Sequence, residues 1–473
     1  MIQFLIAAPH SGSGKTTVTC AMLAALKKRG YDPCAFKCGP DYIDPMFHRA
    51  ALHVDSHNLD LFLSTRFTVR ELYAHYAAGH GAAVCEGAMG FYDGQGMSAM
   101  ASAWDVAETL DLPVLLVVQP KGVGLTLVAE IQGLMNFKNP SHIVGILLND
   151  CSEKLYKMLK PVLEETAKIP VLGYLPHLPE AKIESRHLGL KTADEISGLA
   201  ERIDFVADIL SENLDWQKLF ELTDKPEPEM PVRPKYRHID QIDDWGLNDY
   251  QLFPEEEIEE PMVRIAVAKD EAFCFTYAET LDVLTAFGAN LVFFSPLHDK
   301  ALPENIDGLY LPGGYPELYA KTLSENESMR NSIRSAYENG LPTVAECGGF
   351  LYLGKELEDN DGEIYPMVGV LPGSGVKVGK LVRFGYADLT AQVDSMLFET
   401  GEILPIHEFH HWDSTENGED FSLLKANGTK WLGGFANDHL YAGFPHLYWA
   451  GTPLPKRFIK AAERYIKQKE QQK

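Results

Sequence analysis

The amino-acid sequence predicts an α/β protein of two domains, the first of them built on a parallel sheet. Over roughly the first 200 residues, short β-branched apolar runs alternate with helical stretches. These runs are apolar throughout rather than at every second position, which indicates strands buried on both faces, as in a parallel sheet. A proline-rich acidic stretch follows, and the alternation of strand-like and helix-like segments then resumes. Such a stretch is typical of a linker between two folded domains.

The predicted elements of the first domain begin with a βαβ unit. Residues 16–28 are rich in helix formers, end in basic residues and stop at Gly30, which suits the position just after a helix. This helix lies between the first two predicted strands. The predicted strands of the domain are residues 3–8, 34–37, 82–85, 114–118, 144–148 and 171–174.

The second domain is predicted to begin near Met262, after an acidic run at residues 255–260. Its predicted strands are residues 263–268, 290–294, 308–311 and 342–345, and its predicted helices are residues 277–287 and 328–339. The chain therefore divides into a first domain, a linker, a second domain and a tail that ends as a frayed, solvated helix. Their predicted bounds are residues 1–222, 223–261, 262–455 and 456–473.

The composition excludes several classes of protein. With 42 Lys plus Arg and 67 Asp plus Glu among 473 residues, the net charge is 42 − 67 = −25, which argues against nucleic acid as a partner. Apolar runs such as 113–118 and 143–148 are far shorter than the roughly 20 residues that span a bilayer, so no membrane helix is expected. The first residues lack the positive segment of an export signal, and the 7 cysteines include no Cys-x-x-Cys pair. These features predict a protein of the reducing cytoplasm.

A glycine-rich loop follows the first strand and opens the first helix: Gly12-Ser13-Gly14-Lys15-Thr16-Thr17. In such a loop, backbone N–H groups and the helix N-terminus converge on phosphate oxygens. Lys15 would neutralise phosphate charge, and Thr16 is placed to ligate Mg²⁺. The usual leading glycine is Pro9 here, so the loop follows a variant pattern. The motif predicts a nucleotide site, against the alternative of a flexible Gly/Ser turn.

Two acidic stretches follow predicted strands of the same domain. Asp41 and Asp44 lie three residues apart after the second strand, at the edge where parallel sheets bind ligands, although Gly-Pro and Asp-Pro are also common turn dipeptides. Glu86 ends a buried strand, where a carboxylate is costly unless it meets a cation or hydrogen-bond donors. Ligation of Mg²⁺ would stabilise the buried carboxylate of Glu86. The alternative is that Glu86 caps a helix or forms an ion pair.

Cys347 follows a predicted strand and precedes two glycines and a helix. This order is typical of a nucleophile elbow, in which the helix N-terminus would lower the thiol pKa, although an inert buried cysteine is the commoner case. The backbone N–H groups of Gly314 and Gly348 are predicted to form the oxyanion site. His446 is the preferred base. The competing histidines are His407, His410, His411 and His439.

Taken together, eight motifs resemble those of the cobyrinic acid a,c-diamide synthase family, the cobalamin-pathway glutamine amidotransferases. The resemblance implies a dethiobiotin-synthetase-like P-loop domain joined to a class I glutamine amidotransferase domain. It covers nearly the whole chain. The motifs are residues 11–17, 36–45, 86–94 and 187–190 in the first domain, and residues 265–273, 312–318, 345–349 and 407–410 in the second.

The resemblance also implies roles for individual residues. Cys347 would be the glutaminase nucleophile and His446 its base. The residues implied for ATP binding are Gly12, Gly14, Lys15, Thr16, Thr17 and Asn149, of which Asn149 matches a position that reads adenine in related ATPases. Those implied for substrate binding are Asp41, Tyr42, Ile43, Asp44 and Glu86, and those implied for Mg²⁺ are Thr16, Asp44 and Glu86.

The implied activity is the amidation of two acetate carboxylates of cobyrinic acid, with glutamine as nitrogen donor, ATP as co-substrate and acyl phosphates as intermediates. Alternatives are the same chemistry on hydrogenobyrinic acid or nickel sirohydrochlorin, the four-amide cobyric acid synthase reaction, and a regulatory P-loop ATPase. Class I relatives carry a glutamate two residues after the histidine, where this chain has Tyr448. The sequence leaves open what orients His446, and also the oligomeric state, a homodimer included.

Overall fold

The structure is a computed structural model that describes residues 1–179, 198–232, 251–254, 258 and 262–471. The chain divides into two compact units, Met1–Phe62 with Arg66–Arg237 and Leu63–Thr65 with His238–Lys473. The motif at residues 187–190 and much of the predicted linker lie outside the described residues. Within the described part, every helix is too short or too polar to cross a bilayer.

The first unit contains a seven-stranded sheet in which every neighbouring pair is parallel. This confirms the prediction from the continuous apolar runs. The strand order is β3-β2-β4-β1-β5-β6-β7. The strands are β1 Ile2–Ala7, β2 Pro33–Cys38, β3 Ser56–Leu59, β4 Ala82–Glu86, β5 Val114–Val118, β6 Ile143–Leu148 and β7 Val171–Tyr174.

Eight helices of the first unit lie among the described residues. Helix α1 begins at Lys15, directly after the glycine loop, and its apolar residues pack with those of α7 in the core of the unit. The helices are α1 Lys15–Lys28, α2 Ile43–Leu52, α3 Arg66–Ala77, α4 Ala103–Leu110, α5 Thr126–Phe137, α6 Glu153–Thr166, α7 Leu199–Asn213 and α8 Trp216–Thr223.

The strand order positions the predicted nucleotide site. Strand β4 lies between β2 and β1, so the carboxyl ends of these three parallel strands meet at one edge of the sheet. The loop after β1, the Asp41 region after β2, and Glu86 at the end of β4 are therefore neighbours, as expected for an open parallel sheet. Strand β3 was not predicted because its sequence, Ser-His-Asn-Leu, has one apolar residue.

The second unit has a six-stranded sheet of order β18-β19-β11-β10-β8-β9, in which only β18 runs antiparallel to its neighbour. A further sheet, of order β13-β12-β14-β16-β17 with β15 paired to β14, was not predicted. The strands are β8 Val263–Ala268, β9 Ala289–Phe294, β10 Gly308–Leu311, β11 Thr343–Glu346, β12 Glu356–Glu358, β13 Ile364–Pro366, β14 Gly375–Ala391, β15 Ile403–Ser414, β16 Phe421–Leu424, β17 Lys430–Gly433, β18 Phe435–Asn437 and β19 Leu440–Gly443.

The helices of the second unit include a long C-terminal one that corrects the predicted tail. Residues from 456 onward were assigned to a tail, but α13 begins at Leu454 and buries Phe458, Ile459 and Tyr465. This helix is therefore packed over most of its length, and exposure rises only in its last turns. The helices are α9 Ala278–Ala286, α10 Ala320–Glu325, α11 Glu327–Glu338, α12 Gly348–Leu353 and α13 Leu454–Gln471.

Candidate active sites

The phosphate-binding loop joins β1 to α1 in a conformation that requires glycine. Gly14 has φ 86°, and a Cβ there would lie 2.2 Å from Nδ2 of Asn149. Nδ2 of Asn149 in turn donates to the carbonyl of Ser13 at 2.9 Å. Asn149, implied by the resemblance to read adenine, thus holds the loop from the end of β6, and Gly12 also has a positive φ of 80°.

Lys15 lies in the first turn of α1 with its ammonium group directed at the loop. Nζ donates to the carbonyl of Met89 at 2.5 Å and to that of His10 at 3.4 Å. Burial and the nearby charge of Lys37 lower the pKa of Lys15 to about 8. Backbone carbonyls are weak partners for an ammonium ion compared with a phosphate, so the geometry suits a lysine that gains its main partner when an anion binds.

Glu86 lies at the centre of the polar cluster at the carboxyl edge of the sheet. Its Oε1 accepts hydrogen bonds from the hydroxyl of Thr16 at 2.7 Å and from Nζ of Lys37 at 2.9 Å, and its Oε2 lies 3.7 Å from Nε2 of His48. Burial alone would raise the pKa of Glu86, but the charge of Lys37, the nearby His48 and the hydrogen bond from Thr16 outweigh it and lower the pKa. Glu86 is thus an ionised, fully buried carboxylate.

Lys37 also joins Glu86 to the acidic stretch after β2. Its Nζ lies 2.5 Å from Oδ2 of Asp44 and 3.9 Å from Oδ2 of Asp41. Asp44 belongs to the first turn of α2 rather than to a loop, which differs from the prediction. Asn58 of the unpredicted strand β3 donates to the carbonyl of Asp41 at 2.9 Å and so fixes the loop.

The remaining implied residues of the first unit lie around this cluster. Thr17 follows Thr16 in α1 and is half-buried, and the half-buried Tyr42 and Ile43 begin α2. Lys37 was not predicted as a site residue, although it was quoted within a motif. A lysine inside an otherwise apolar, buried strand was the signal that could have identified it, since a buried ammonium group needs anionic partners.

The residues that the resemblance implies for Mg²⁺ fit a nucleotide-bound ion. Among the described residues, no three or more His, Cys, Asp or Glu side chains are grouped to hold a metal by themselves. Mg²⁺ in nucleotide sites needs less, because it keeps several waters and takes one or two protein ligands beside the phosphates. The adjacent oxygens of Thr16 and Glu86 match that donor set, although Lys37 is paired with Glu86 as well as with Asp44.

Cys347 lies at a sharp elbow between β11 and α12. Its φ of 47° and ψ of −99° are unusual for a residue with a side chain. Its backbone N–H donates to the carbonyl of Gly443 at 2.7 Å, and its thiol donates to the carbonyl of Phe409 at 3.8 Å. The strained elbow confirms the turn that the Cys-Gly-Gly sequence predicted, and the motif at residues 407–410 lies against the thiol.

The electrostatics of Cys347 differ from the prediction. A helix N-terminus was expected to lower the thiol pKa, but α12 has only six residues and the thiol is buried. Burial, and then the charges of Glu317 and Glu408, raise its pKa. Burial also raises the pKa of Glu317, in the turn after β10, to about 7. The thiol of the free protein is therefore protonated and needs a base to react.

The two glycines predicted for the oxyanion site lie together. A Cβ on Gly348 would lie 3.0 Å from the backbone nitrogen of Gly314. A Cβ on Gly314 would lie 2.1 Å from the carbonyl oxygen of Ala272, so only glycine fits there. The backbone of Gly314 thus lies directly beside Gly348 at the elbow, and the oxyanion role of their N–H groups stays a prediction.

His446 lies against the same glycine turn. Its backbone N–H donates to the carbonyl of His407 at 2.9 Å, which fixes the chain after β19. A Cβ on Gly313 would lie 2.4 Å from Cε1 of the imidazole, so the ring packs directly on this glycine. Nδ1 of the ring lies 3.7 Å from Oε2 of Glu346, the residue before the cysteine.

Three of the four competing histidines have surroundings unlike those of His446, whereas His407 pairs with His446 through its backbone. His410 donates from Nδ1 to the carbonyl of Trp412 at 2.6 Å, and its ring stacks on Phe444 with centroids 3.7 Å apart. His411 is half-buried in β15, and His439 lies between β18 and β19, where burial lowers its pKa. His446, which contacts the glycine turn, remains our candidate for the base.

Comparisons with known proteins agree with this division into two sites. Residues 4–190 match the model of a CobQ/CobB/MinD/ParA nucleotide binding domain. Residues 264–453 match the model of a CobB/CobQ-like glutamine amidotransferase domain. Both models confirm the predicted fold class, in which a parallel-sheet P-loop domain precedes an amidotransferase domain.

Curated relatives match over nearly the whole chain. The cobyrinate a,c-diamide synthase of Caldanaerobacter subterraneus subsp. tengcongensis is 37% identical over 94% of this chain and 94% of its own. Those of Clostridium tetani and Clostridium acetobutylicum are each 38% identical, over 98% and 96% of this chain and 99% and 98% of their own.

Proposed function

The chain belongs to the family of the cobyrinate a,c-diamide synthases, and on this premise we propose that it amidates the a and c acetate carboxylates of cobyrinic acid. Glutamine supplies the nitrogen and ATP activates each carboxylate as an acyl phosphate. Cys34, Cys38, Cys85, Cys151 and Cys347 are free thiols, which supports action in the reducing cytoplasm.

The chemistry explains why two sites are needed. A carboxylate resists attack by ammonia because its negative charge repels the nucleophile and oxide is a very poor leaving group. Transfer of the γ-phosphoryl group of ATP to the carboxylate removes both obstacles, because phosphate leaves easily. Ammonia released from glutamine then displaces phosphate and forms the amide.

In the first unit, Lys15 and the N–H groups of the glycine loop would bind the phosphates and the charge that develops on them. Thr16 and Glu86 would hold Mg²⁺, which would neutralise phosphate charge while bound. Lys37 supports this proposal because its ammonium group lies in the same cluster, 2.9 Å from Glu86 and 2.5 Å from Asp44. Asp41 and Tyr42 precede α2 and Ile43 begins it, and all three would contact the macrocycle.

In the second unit, the thiol of Cys347 would attack the amide carbon of glutamine. The thiol proton passes to His446 as the C–S bond forms, and His446 gives it to the nitrogen as ammonia leaves. The N–H groups of Gly314 and Gly348 would bind the oxyanion of the tetrahedral intermediate. Water then hydrolyses the thioester and releases glutamate.

The observation that carries the proposal is that one chain holds both candidate sites. The first is the glycine loop, with Lys15 and the buried Glu86 beside it. The second is the strained elbow at Cys347, with His446 in the same unit. The test compares wild-type protein with Cys347→Ala, using cobyrinic acid, Mg-ATP and either glutamine or ammonium. We expect two amides per macrocycle by mass for the wild type. We expect the variant to work with ammonium and to fail with glutamine.

Other outcomes would overturn parts of the proposal. Glutamine use that survives in Cys347→Ala would exclude this cysteine as the nucleophile. ATP hydrolysis by the wild type without amidation of cobyrinic acid would exclude this substrate, and hydrogenobyrinic acid and nickel sirohydrochlorin are then tested with the same mass readout.

A further inference from the structure

Tyr448 occupies the position where class I relatives carry the third catalytic residue, and it faces an aromatic neighbour. Its ring packs edge-on against Tyr277, with centroids 5.0 Å apart and an interplanar angle of 76°. A tyrosine in such a contact does not provide the anionic acceptor that orients and stabilises a catalytic imidazole. The structure offers a carboxylate elsewhere.

Glu346 is the last residue of β11 and immediately precedes the nucleophile. Alternation along the strand directs Ala345 and Glu346 to opposite faces of the sheet. Ala345 and Cys347 belong to the apolar core on one face, and the side chain of Glu346 lies beside Tyr310 of the neighbouring strand β10. The carboxylate is thus held by the same backbone segment as the thiol, but on the other side of the sheet.

The carboxylate of Glu346 is buried and anchored by two neutral donors. The hydroxyl of Tyr310 donates to Oε2 at 3.2 Å, and Nε1 of Trp449 donates to Oε1 at 3.5 Å. All three side chains are buried. A buried carboxylate favours a neighbour that can become positive, and the described residues place His446 there, with Nδ1 3.7 Å from Oε2 of Glu346.

From this geometry, and resting on the glutaminase role proposed above, we infer that Glu346 is the positioning residue of His446 and replaces the missing glutamate of the triad. Nδ1 is the ring nitrogen that lies 3.7 Å from the carboxylate of Glu346, so in this inference Nδ1 carries the resting proton and Nε2 takes the proton of the thiol. Gly313 packs on Cε1, between the two nitrogens. The ring is therefore held on one edge by the carboxylate and on the other by the glycine turn.

The role of Glu346 in the reaction is electrostatic, and it takes up no proton. When the thiol proton moves to Nε2, His446 becomes an imidazolium, and the fixed carboxylate stabilises that charge as the C–S bond forms. The proton then moves from Nε2 to the departing ammonia, and the imidazole becomes neutral again. The distance of 3.7 Å is long for a hydrogen bond, as is common for catalytic contacts before substrate binds.

The test measures glutamine hydrolysis by Glu346→Gln and Glu346→Asp, with ammonium-driven amidation as a second readout. Gln keeps the size and the hydrogen-bond acceptor but loses the charge, whereas Asp keeps the charge but leaves space for a methylene. We expect kcat to fall on the order of 10²-fold or more in Glu346→Gln, with KM changed less than about threefold. We expect Glu346→Asp to retain more kcat than Glu346→Gln, and both to keep ammonium-driven amidation.

The opposite order would overturn the inference. If the carboxylate only fills space and accepts hydrogen bonds, Glu346→Gln keeps more activity than Glu346→Asp. If Glu346→Asp does not fold, the division between kcat and KM in Glu346→Gln decides, and a rise in KM with unchanged kcat contradicts a positioning role. Glu279→Gln, which changes another fully buried glutamate of the same unit, controls for the burial of a neutral amide.

A parallel Cys347→Ala sample separates this inference from the proposed function. Loss of glutamine hydrolysis in Cys347→Ala together with wild-type kcat in Glu346→Gln overturns the role of Glu346 alone. Hydrolysis that persists in Cys347→Ala overturns the proposed function itself.

Discussion

The two candidate sites differ in how they hold buried charge. In the first unit, Lys37 lies between the carboxylates of Glu86 and Asp44, and its charge lowers the pKa of Glu86. In the second unit, burial and nearby carboxylates raise the pKa of Cys347, and burial raises that of Glu317 to about 7. The first site is thus charged before substrate binds, whereas the second keeps its nucleophile neutral until a base removes the proton.

The two turns also differ in their backbone. The phosphate loop reaches a positive φ at Gly12 and Gly14, where the absence of a side chain makes it inexpensive. The elbow reaches a positive φ at Cys347, where the side chain is the proposed nucleophile and glycine would abolish the proposed reaction. Strain of this kind persists only where the surrounding structure fixes it. A loop that binds its ligand through backbone groups can use glycine and so avoids backbone strain. An elbow that presents a side chain cannot use glycine and is therefore strained.

The largest effect is expected at the ion cluster of the first unit. Lys37→Met leaves the carboxylates of Glu86 and Asp44 buried without their ammonium partner, so the free energy of unfolding should fall by about 3–5 kcal/mol. ATP-dependent amidation should fall with glutamine and with ammonium alike, while glutamine hydrolysis stays near the wild-type rate. Urea unfolding and the two activity assays measure these effects.

Lys28→Met is the matched control for Lys37→Met. Lys28 also pairs with two carboxylates, Asp204 and Asp208, but its side chain is 38% exposed. Solvent screens such pairs, so the change in unfolding free energy should stay within about 1 kcal/mol. Equal losses for both variants would contradict the contrast between buried and exposed ion pairs.

Most strands of the two main sheets followed from local sequence, whereas β3, β18 and β19 did not. Strands β5, β7, β8 and β10 have the predicted bounds because their apolar runs are continuous. Strand β3 and the strands of the further sheet of the second unit, β12 to β17, lack continuous apolar runs. They pair with strands that are distant in sequence, and local patterning gives no signal for such pairing. Strand β3 matters for the site, because Asn58 fixes the Asp41 loop.

A second prediction tests the packing of the base on the oxyanion turn. The Cβ of Gly313→Ala would lie 2.4 Å from Cε1 of His446, so the ring must move by about 1 Å. A displacement of that size lowers kcat for glutamine hydrolysis by on the order of 10²-fold. Ammonium-driven amidation should not change.

Gly433→Ala is the control for Gly313→Ala. It lies on β17 of the same unit, and its Cβ would meet the nearest atom, Cδ1 of Leu423, at an ordinary 3.6 Å. We expect wild-type glutamine hydrolysis for this variant. Wild-type hydrolysis in Gly313→Ala would show instead that His446 does not need its observed position.

Candidate site residues could be predicted from the sequence where a motif fixes the backbone conformation. Residues whose role depends on a partner from a distant segment of the chain were harder to predict. The loop glycines and Cys347 followed from spacing alone. Lys37 and Glu346 lie within the motifs at residues 36–45 and 345–349, but their roles were not predicted. The role of Lys37 depends on Asp44 and that of Glu346 on His446, and only the folded chain brings each pair within 4 Å. The thiol pKa was predicted in the wrong direction because burial outweighs a helix of six residues.

The smallest expected effect is a pH dependence, and it has opposite signs at the two sites. Burial and Lys37 lower the pKa of Lys15 to about 8, so above that pH the free protein must take up a proton to bind ATP with a charged lysine. The affinity for ATP should then weaken by up to about tenfold per pH unit. Alkylation of Cys347, whose pKa is raised, should accelerate over the same range because more thiolate forms.

Lys15→Arg separates the titration of this lysine from other effects of pH on ATP binding. A guanidinium stays protonated throughout, so the affinity of this variant for ATP should be lower but independent of pH between about pH 8 and about pH 9.5. Equilibrium binding of ATP to both proteins measures the slope. A flat curve for the wild type would mean that Lys15 keeps its proton despite burial, and would contradict this prediction.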